Sequence, residues 1–125
     1  MSGLERGSGC RVLVVEDEYF VAQDLVRVLG DFGAQAVGPV VEPRQALTLL
    51  EGTDGVDAAI LDINLHGRDI YPVARALAKR RIPFVFATGY ERAAIHPEFQ
   101  DIPRWEKPYS ARALIQDVLT LAGCC

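Results

Sequence analysis

Short, continuous apolar runs recur along the chain at intervals of a little over twenty residues, and the stretches between them return apolar side chains every three or four positions. That rhythm predicts strands alternating with amphipathic helices. The run "RVLVV" (11–15) is β-branched and unbroken, as in a parallel strand covered on both faces. The next helix spans "EYFVAQDLVRVLGDFG", with Val21, Leu25, Val28 and Phe32 on one face and Gly33 placed to stop it. "AQAVGPV" (34–40) reads as a weaker strand closing at Pro39. "EPRQALTLLEG" reads as a helix with Pro43 in its first turn, Leu47 and Leu50 inward and Gly52 past its end.

"DAAILDI" (57–63) is the most apolar candidate for a central strand, and "RDIYPVARALAKRR" follows as a helix that tolerates Pro72 only in its first turn. "PFVFAT" (83–88) predicts a fourth strand. The segment "GYERAAIHPEFQDIP" allows at most a short helix before Pro97. "RWEKP" (104–108) suits a short last strand, and "SARALIQDVLTLAG" a final helix that Ser110 can cap, with Leu114, Val118 and Leu121 sharing a face. Five strands and five helices in alternation predict one doubly wound α/β domain over residues 10–122, with a parallel sheet in the order 2-1-3-4-5. Residues 1–9 are expected to be a flexible leader and 123–125 a short tail, and the fourth helix is expected to be short or irregular.

In such a sheet, ligands bind beyond the carboxyl ends of the strands, where the strand order reverses. Those ends carry Glu16, Asp17 and Glu18 after the first strand, Asp62 and Asn64 at the third, Thr88 at the fourth and Lys107 at the fifth. Carboxylates gathered in one cleft repel unless a cation sits among them, and an all-oxygen set points to a hard ion such as Mg²⁺. A lysine and a hydroxyl beside that ion make a cradle for a phosphoryl group, and an aspartate can attack its phosphorus. Each residue also has a plainer explanation: acids suit a helix N-terminus, Asp62 can open a loop, Thr88 can cap a turn and Lys107 can lie on the surface. Their joint occurrence at four of five strand ends favours the chemical reading.

Composition narrows the setting. The chain has 125 residues, 50% hydrophobic and 24% charged, enough for one sizeable core. Its net charge of −4 argues against nucleic-acid binding, and "KRR" (79–81) is expected to be a solvated helix end. With no apolar stretch long enough for a membrane span and no signal-peptide core, the expected location is cytoplasmic. The three cysteines, Cys10, Cys124 and Cys125, are an odd number with two adjacent, which predicts reduced thiols rather than a disulfide framework.

The acidic "VEDE", the aspartate of "LDINL", the threonine of "ATG" and the lysine of "EKP", in that order, resemble a receiver domain of two-component response regulators. The resemblance covers residues 10–122. It implies that Asp62 accepts phosphoryl from a phosphohistidine. It further implies that Asp17, Asp62 and the Asn64 carbonyl bind Mg²⁺ with help from Glu16 through water, and that Thr88 and Lys107 contact the phosphoryl group. A cis peptide between Lys107 and Pro108 is implied as well. "PFVFATGY", "NLHGRDIYPVA" and "EKPY" narrow the likeness to the FAT GUY subgroup, in which Gly89 leaves room beside the phosphoryl group.

Receivers commonly carry a mobile aromatic three residues before the lysine; here that position is Arg104, with Trp105 next to it and facing the other way in a strand. Tyr90 is the proposed replacement as switch aromatic, against the simpler view that it only packs over its loop. His66 and His96 read as loop residues. A haloacid-dehalogenase-like phosphatase would need an acid where Asn64 stands, and a flavin carrier would not place "EDEYF" against a phosphate. The expectation is a single-domain response regulator, monomeric or weakly dimeric. Its expected partners are a histidine kinase or histidine phosphotransfer protein and a downstream protein. The alternatives are a phosphorylation-independent interaction module, or a receiver fragment of a longer protein with an effector domain.

Overall fold

The computed structural model describes residues 9–52, 55–63, 65, 67–89 and 95–124. Strands β1 (Arg11–Val15), β2 (Gln35–Val40), β3 (Ala58–Asp62), β4 (Phe84–Thr88) and β5 (Arg104–Glu106) form one sheet in the order β2-β1-β3-β4-β5. Every pairing is parallel. Four α-helices complete the described residues: α1 (Tyr19–Asp31), α2 (Pro43–Gly52), α3 (Tyr71–Lys79) and α4 (Ala111–Leu121).

Strand alternation divides the core into two layers. Leu13, Val15, Ala59, Leu61, Phe84 and Phe86 face α2 and α3, where they meet Ala46, Leu50, Val73, Ala74 and Leu77. Val12, Val14, Ala58, Ile60 and Val85 face α1 and α4, where they meet Leu25, Val28, Leu29, Leu114, Ile115, Val118 and Leu119. Because helices cover both faces, β3 and β4 are buried at every position, which is why their sequences show apolar runs instead of alternation. β2 is an edge strand, so it accommodates Pro39 after a cis peptide from Gly38. Gly38 has φ +95°, and a Cβ there would lie 2.8 Å from the Val40 nitrogen and 3.1 Å from the Val14 oxygen, so only glycine fits.

Local signals explain most boundaries. Gly33, at φ +79°, ends α1, and Ala34 N–H donates to the Leu29 carbonyl at 2.9 Å. Pro72 lies in the first turn of α3, and Lys79 in its last, at an exposed helix end. Ser110 caps α4 by accepting a hydrogen bond from Ala113 N–H at 3.2 Å.

Three expectations need correction. The fifth helix is not among the four α-helices of the described residues: between β4 and β5 these show one 3-10 turn, Pro97–Phe99. The stretch before Pro97, where the sequence allows at most a short helix, lies mostly, at 90–94, outside them. Phe99, which ends that turn, joins an aromatic cluster. It stacks on Tyr71 at 5.6 Å and meets Phe84 and Phe86 edge-on, each at 6.1 Å. Leu121 is 45% exposed, because the buried stripe of α4 runs through Leu114, Ile115, Val118 and Leu119 and continues at Ala122. The cysteines are not all free thiols. Cys10, just before β1, is disulfide-bonded to Cys124, just after α4, across 114 positions with a Cα–Cα distance of 6.2 Å. The expected flexible leader falls mostly on residues 1–8, outside the described residues, as does Cys125. Among the described residues no helix is long and apolar enough to cross a membrane.

The α4 cap gives a direct check on this architecture. Ser110→Ala should lower stability by about 1 kcal/mol in urea unfolding, while Ser110→Asp should restore it. Equal midpoints for wild type and Ser110→Ala would show that the cap contributes nothing.

Candidate acidic site at the carboxyl edge of the sheet

Parallel pairing fixes where the candidate residues stand. Past β1, Glu16 N–H still donates to the Val40 carbonyl at 3.0 Å, which holds Glu16 against the sheet with only 2% exposure. Two residues on, Glu18 N–H donates back to Glu16 Oε2 at 3.0 Å, closing the turn into α1. Asp62, the last residue of β3, is 1% exposed, and Ile63 N–H extends the ladder to the Ala87 carbonyl at 2.9 Å. Thr88, at the end of β4, is buried, and its carbonyl accepts Lys107 N–H at 2.8 Å. The threonine and the lysine are therefore joined through the backbone.

The side chains of Glu16, Asp17 and Asp62 converge: one carboxylate oxygen from each lies within 4.8 Å of the others. Lys107 reaches into the group from β5. Its Nζ lies 3.0 Å from Glu16 Oε1, donates to Glu16 Oε2 at 3.1 Å and to Glu18 Oε1 at 3.2 Å, and stands 3.4 Å from Asp62 Oδ2. The Lys107–Pro108 peptide is cis.

Charge in this confined space shifts the acids and bases. Burial, then the hydrogen bond and charge of Asp62, push the Glu16 carboxyl up to about 7, although Glu18 N–H and Lys107 pull against the rise. Burial alone would lower Lys107, but Asp62, Glu16 and Glu18 outweigh it and hold the ammonium above its ordinary value. Tyr109 is also raised, by burial first and then by Glu16, Asp62, Asp24 and Glu18, so its phenol stays protonated.

The donor set fits a hard divalent cation. It is built of carboxylate oxygens, and the buried Glu16 Oε1 makes no hydrogen bond despite its proximity to Lys107, which leaves a lone pair for a cation. Beside the acids opens a cleft of about 540 Å³ lined by Glu18, Phe20, Val21, Gly89, Lys107 and Tyr109 among others.

Of the residues singled out in the sequence, Glu16, Asp17, Asp62, Thr88 and Lys107 stand at the carboxyl edge, and Gly89 lines the adjoining cleft. Asn64, His66 and Tyr90 lie outside the described residues. Arg104 is exposed, whereas Trp105 packs partly into the α1/α4 layer, so the two face opposite ways as expected. His96 is an exposed loop residue whose Nδ1 accepts Glu98 N–H at 3.3 Å. Glu18, named with the end of the first strand, ion-pairs with Lys107, and one participant escaped notice: Tyr109, whose buried hydroxyl has no hydrogen-bond partner among the described residues. The tyrosine of "EKPY" was its one weak signal.

A five-stranded sheet in this order, with acids, a threonine and a lysine at its carboxyl edge, is a CheY-like framework. No family model matches the chain. Over 77 residues, 62% of this chain, it is 39% identical to the transcriptional regulatory protein TcrA of Mycobacterium tuberculosis, of which the match spans 30%. It is similar over nearly its whole length to SdrG from Sphingomonas melonis Fr1, at 39% identity and a TM-score of 0.79, covering 98% of each chain. The BeF3-activated conformation of SdrG from Pseudomonas melonis Fr1 gives 40% identity and a TM-score of 0.73, over 90% of this chain and 95% of that one. A response regulator receiver protein from Burkholderia phymatum gives 25% identity and a TM-score of 0.78, over 93% and 97%. The chain belongs to the response regulator receiver family, whose members are switches of two-component signalling rather than turnover enzymes.

The raised Glu16 carboxyl sets a pH dependence for the metal-free protein. Between the ordinary value of 4.5 and about 7, the folded state keeps a proton that the unfolded chain has released. Stability therefore falls as pH rises through that window and stays lower above it. Urea unfolding in chelator should show a decline on the order of 1–3 kcal/mol. Glu16→Gln should flatten most of it. Parallel pH profiles for the two proteins would rule out Glu16 as the source.

Proposed function

We propose that Asp62 accepts a phosphoryl group from a phosphohistidine on a histidine kinase or phosphotransfer protein. The phosphorylated domain then signals by binding a downstream protein or by passing the group on. One observation carries this reading: the Asp62 carboxylate is buried beside Glu16 and Asp17, with the Lys107 ammonium already at 3.4 Å. An aspartate with only a structural role has no need of so concentrated an acidic surrounding.

Glu16, Asp17 and Asp62, with the carbonyl of Asn64, are the residues that would hold Mg²⁺. When bound, the ion supplies positive charge to the phosphoryl oxygens. In the transfer, one Asp62 oxygen forms a bond to phosphorus as the phosphorus–nitrogen bond to the donor imidazole breaks, its electron pair leaving with the nitrogen. Lys107, charged at neutral pH, exchanges its contact with Asp62 for one to a phosphoryl oxygen. Thr88 supplies a hydroxyl donor to another oxygen, and Gly89 leaves the approach open. Since the Thr88 carbonyl is bonded to Lys107 N–H, displacement of Thr88 acts directly on the β5–α4 connection.

The donor approaches over the start of α1. Tyr19 is 68% exposed and Phe20 84%, and Phe20 and Val21 line the cleft beside Lys107. Such exposed aromatics favour protein contact. Assignment to the FAT GUY subgroup, and of Tyr90 as the aromatic that follows Thr88, rests on "PFVFATGY" and on the exposed Arg104 where a switch aromatic would otherwise stand.

The test is intact mass after incubation with acetyl phosphate, with and without Mg²⁺. Wild type should gain one phosphoryl group only with Mg²⁺, and Asp62→Asn should gain none. Asp17→Asn should need roughly tenfold more Mg²⁺ or beyond, having lost one ligand carboxylate. Absence of any adduct, both from acetyl phosphate and from a phosphorylated histidine kinase, would turn the reading toward a phosphorylation-independent interaction module.

A further inference from the structure

Cys10 and Cys124 stand at the edge of the sheet opposite the acidic site. Cys10 directly precedes β1, is 3% exposed, and its carbonyl accepts Gln35 N–H at 2.8 Å, where β1 and β2 begin to pair. Cys124 follows α4; its N–H donates to the Leu119 carbonyl at 2.9 Å, and Gly123, at φ +74°, turns the chain back toward the sheet. Cys124 is half-buried and packs against the layer that contains Cys10, Val12, Val118 and Leu119. The bond thus closes a loop of nearly the whole domain by joining its two ends.

We propose that Cys10 and Cys124 form a reversible thiol–disulfide latch, through which redox state sets the stability of the receiver while the chemistry of its acidic site is left unchanged. A low-molecular-weight disulfide such as oxidised glutathione serves as oxidant. The more exposed Cys124 thiolate attacks one of its sulfurs, forming a mixed disulfide and releasing one thiolate, which takes up a proton. Cys10, losing its proton, then attacks Cys124 Sγ and expels the second thiolate. Two electrons pass from the cysteines to the glutathione disulfide, and two glutathione thiols result.

The predicted effect follows from loop length and position. Joining residues 114 positions apart removes much of the freedom of the unfolded chain, so reduction lowers stability globally. The acids are untouched, because they lie at the other end of β1 and Lys107 at the other end of α4. The latch does not depend on the phosphorylation reading, and its primary readouts are thiol count and melting temperature.

The experiment compares wild type and Cys125→Ser, equilibrated with oxidised glutathione or with excess reductant. Thiols are counted by alkylation under denaturing conditions, and each sample is melted. In the oxidised samples neither Cys10 nor Cys124 should be alkylatable, in wild type or in Cys125→Ser, and intact mass should show no glutathione retained on Cys125→Ser. Reduction should lower the melting temperature of both by about 10 °C. Cys124→Ser should show no such difference. Phosphoryl labelling by acetyl phosphate well below the melting temperature should agree within twofold between the oxidised and reduced forms. Free Cys10 after oxidation, a bond that disappears in Cys125→Ser, or equal melting temperatures would each overturn the latch. A labelling difference beyond twofold would overturn its separation from the site.

Discussion

Two buried carboxylates, Glu16 and Asp62, share the carboxyl edge of this sheet with a single ammonium, and the rest of the site follows from that imbalance. Lys107 cannot neutralise Glu16, Glu18 and Asp62 together while Asp17 stands beside them. The excess appears in Glu16, whose proton is held up to about pH 7. A divalent cation relieves the same excess without protonation. A site that is over-acidic when metal-free is thus suited to a hard cation. Of its contacts, Lys107 makes the longest to Asp62, at 3.4 Å, and shorter ones to Glu16 and Glu18.

The fold was legible in the sequence wherever burial on both faces wrote an unbroken apolar run. The runs at β1, β3 and β4 left no other interpretation, and the parallel order placed Glu16, Asp17, Asp62, Thr88 and Lys107 on one rim although nothing in their spacing connects them. Local punctuation was equally readable: Gly33 ends α1, Pro72 sits in the first turn of α3 and Ser110 caps α4. The family likeness then supplied roles for those residues that geometry alone does not assign.

What escaped was decided by tertiary contact. Phe99 lies beyond the stretch where at most a short helix was expected, and no local pattern foretold that Tyr71, Phe84 and Phe86 offer it an aromatic socket at the end of a 3-10 turn. Leu121 lay at a helical spacing from Val118, yet the stripe that meets the sheet runs through Ile115, Val118 and Leu119 and passes on to Ala122. The Glu18–Lys107 pair spans 89 positions and has no local signature. The disulfide spans 114, and the adjacent pair at the chain's end made the cysteine count look unpaired.

These long-range contacts also divide the labour within the molecule. α4 is fixed near its start by the Ser110 cap and by the Lys107 connection, and just beyond its end by Cys124. Between those points Leu114, Ile115, Val118 and Leu119 are packed against the sheet, so the helix is anchored along its length. The aromatic start of α1, where Tyr19 and Phe20 stand exposed beside the cleft, is not held in this way. The packing that stabilises the last helix thus also holds it to the sheet, while the aromatic surface beside the acidic site stays open to solvent.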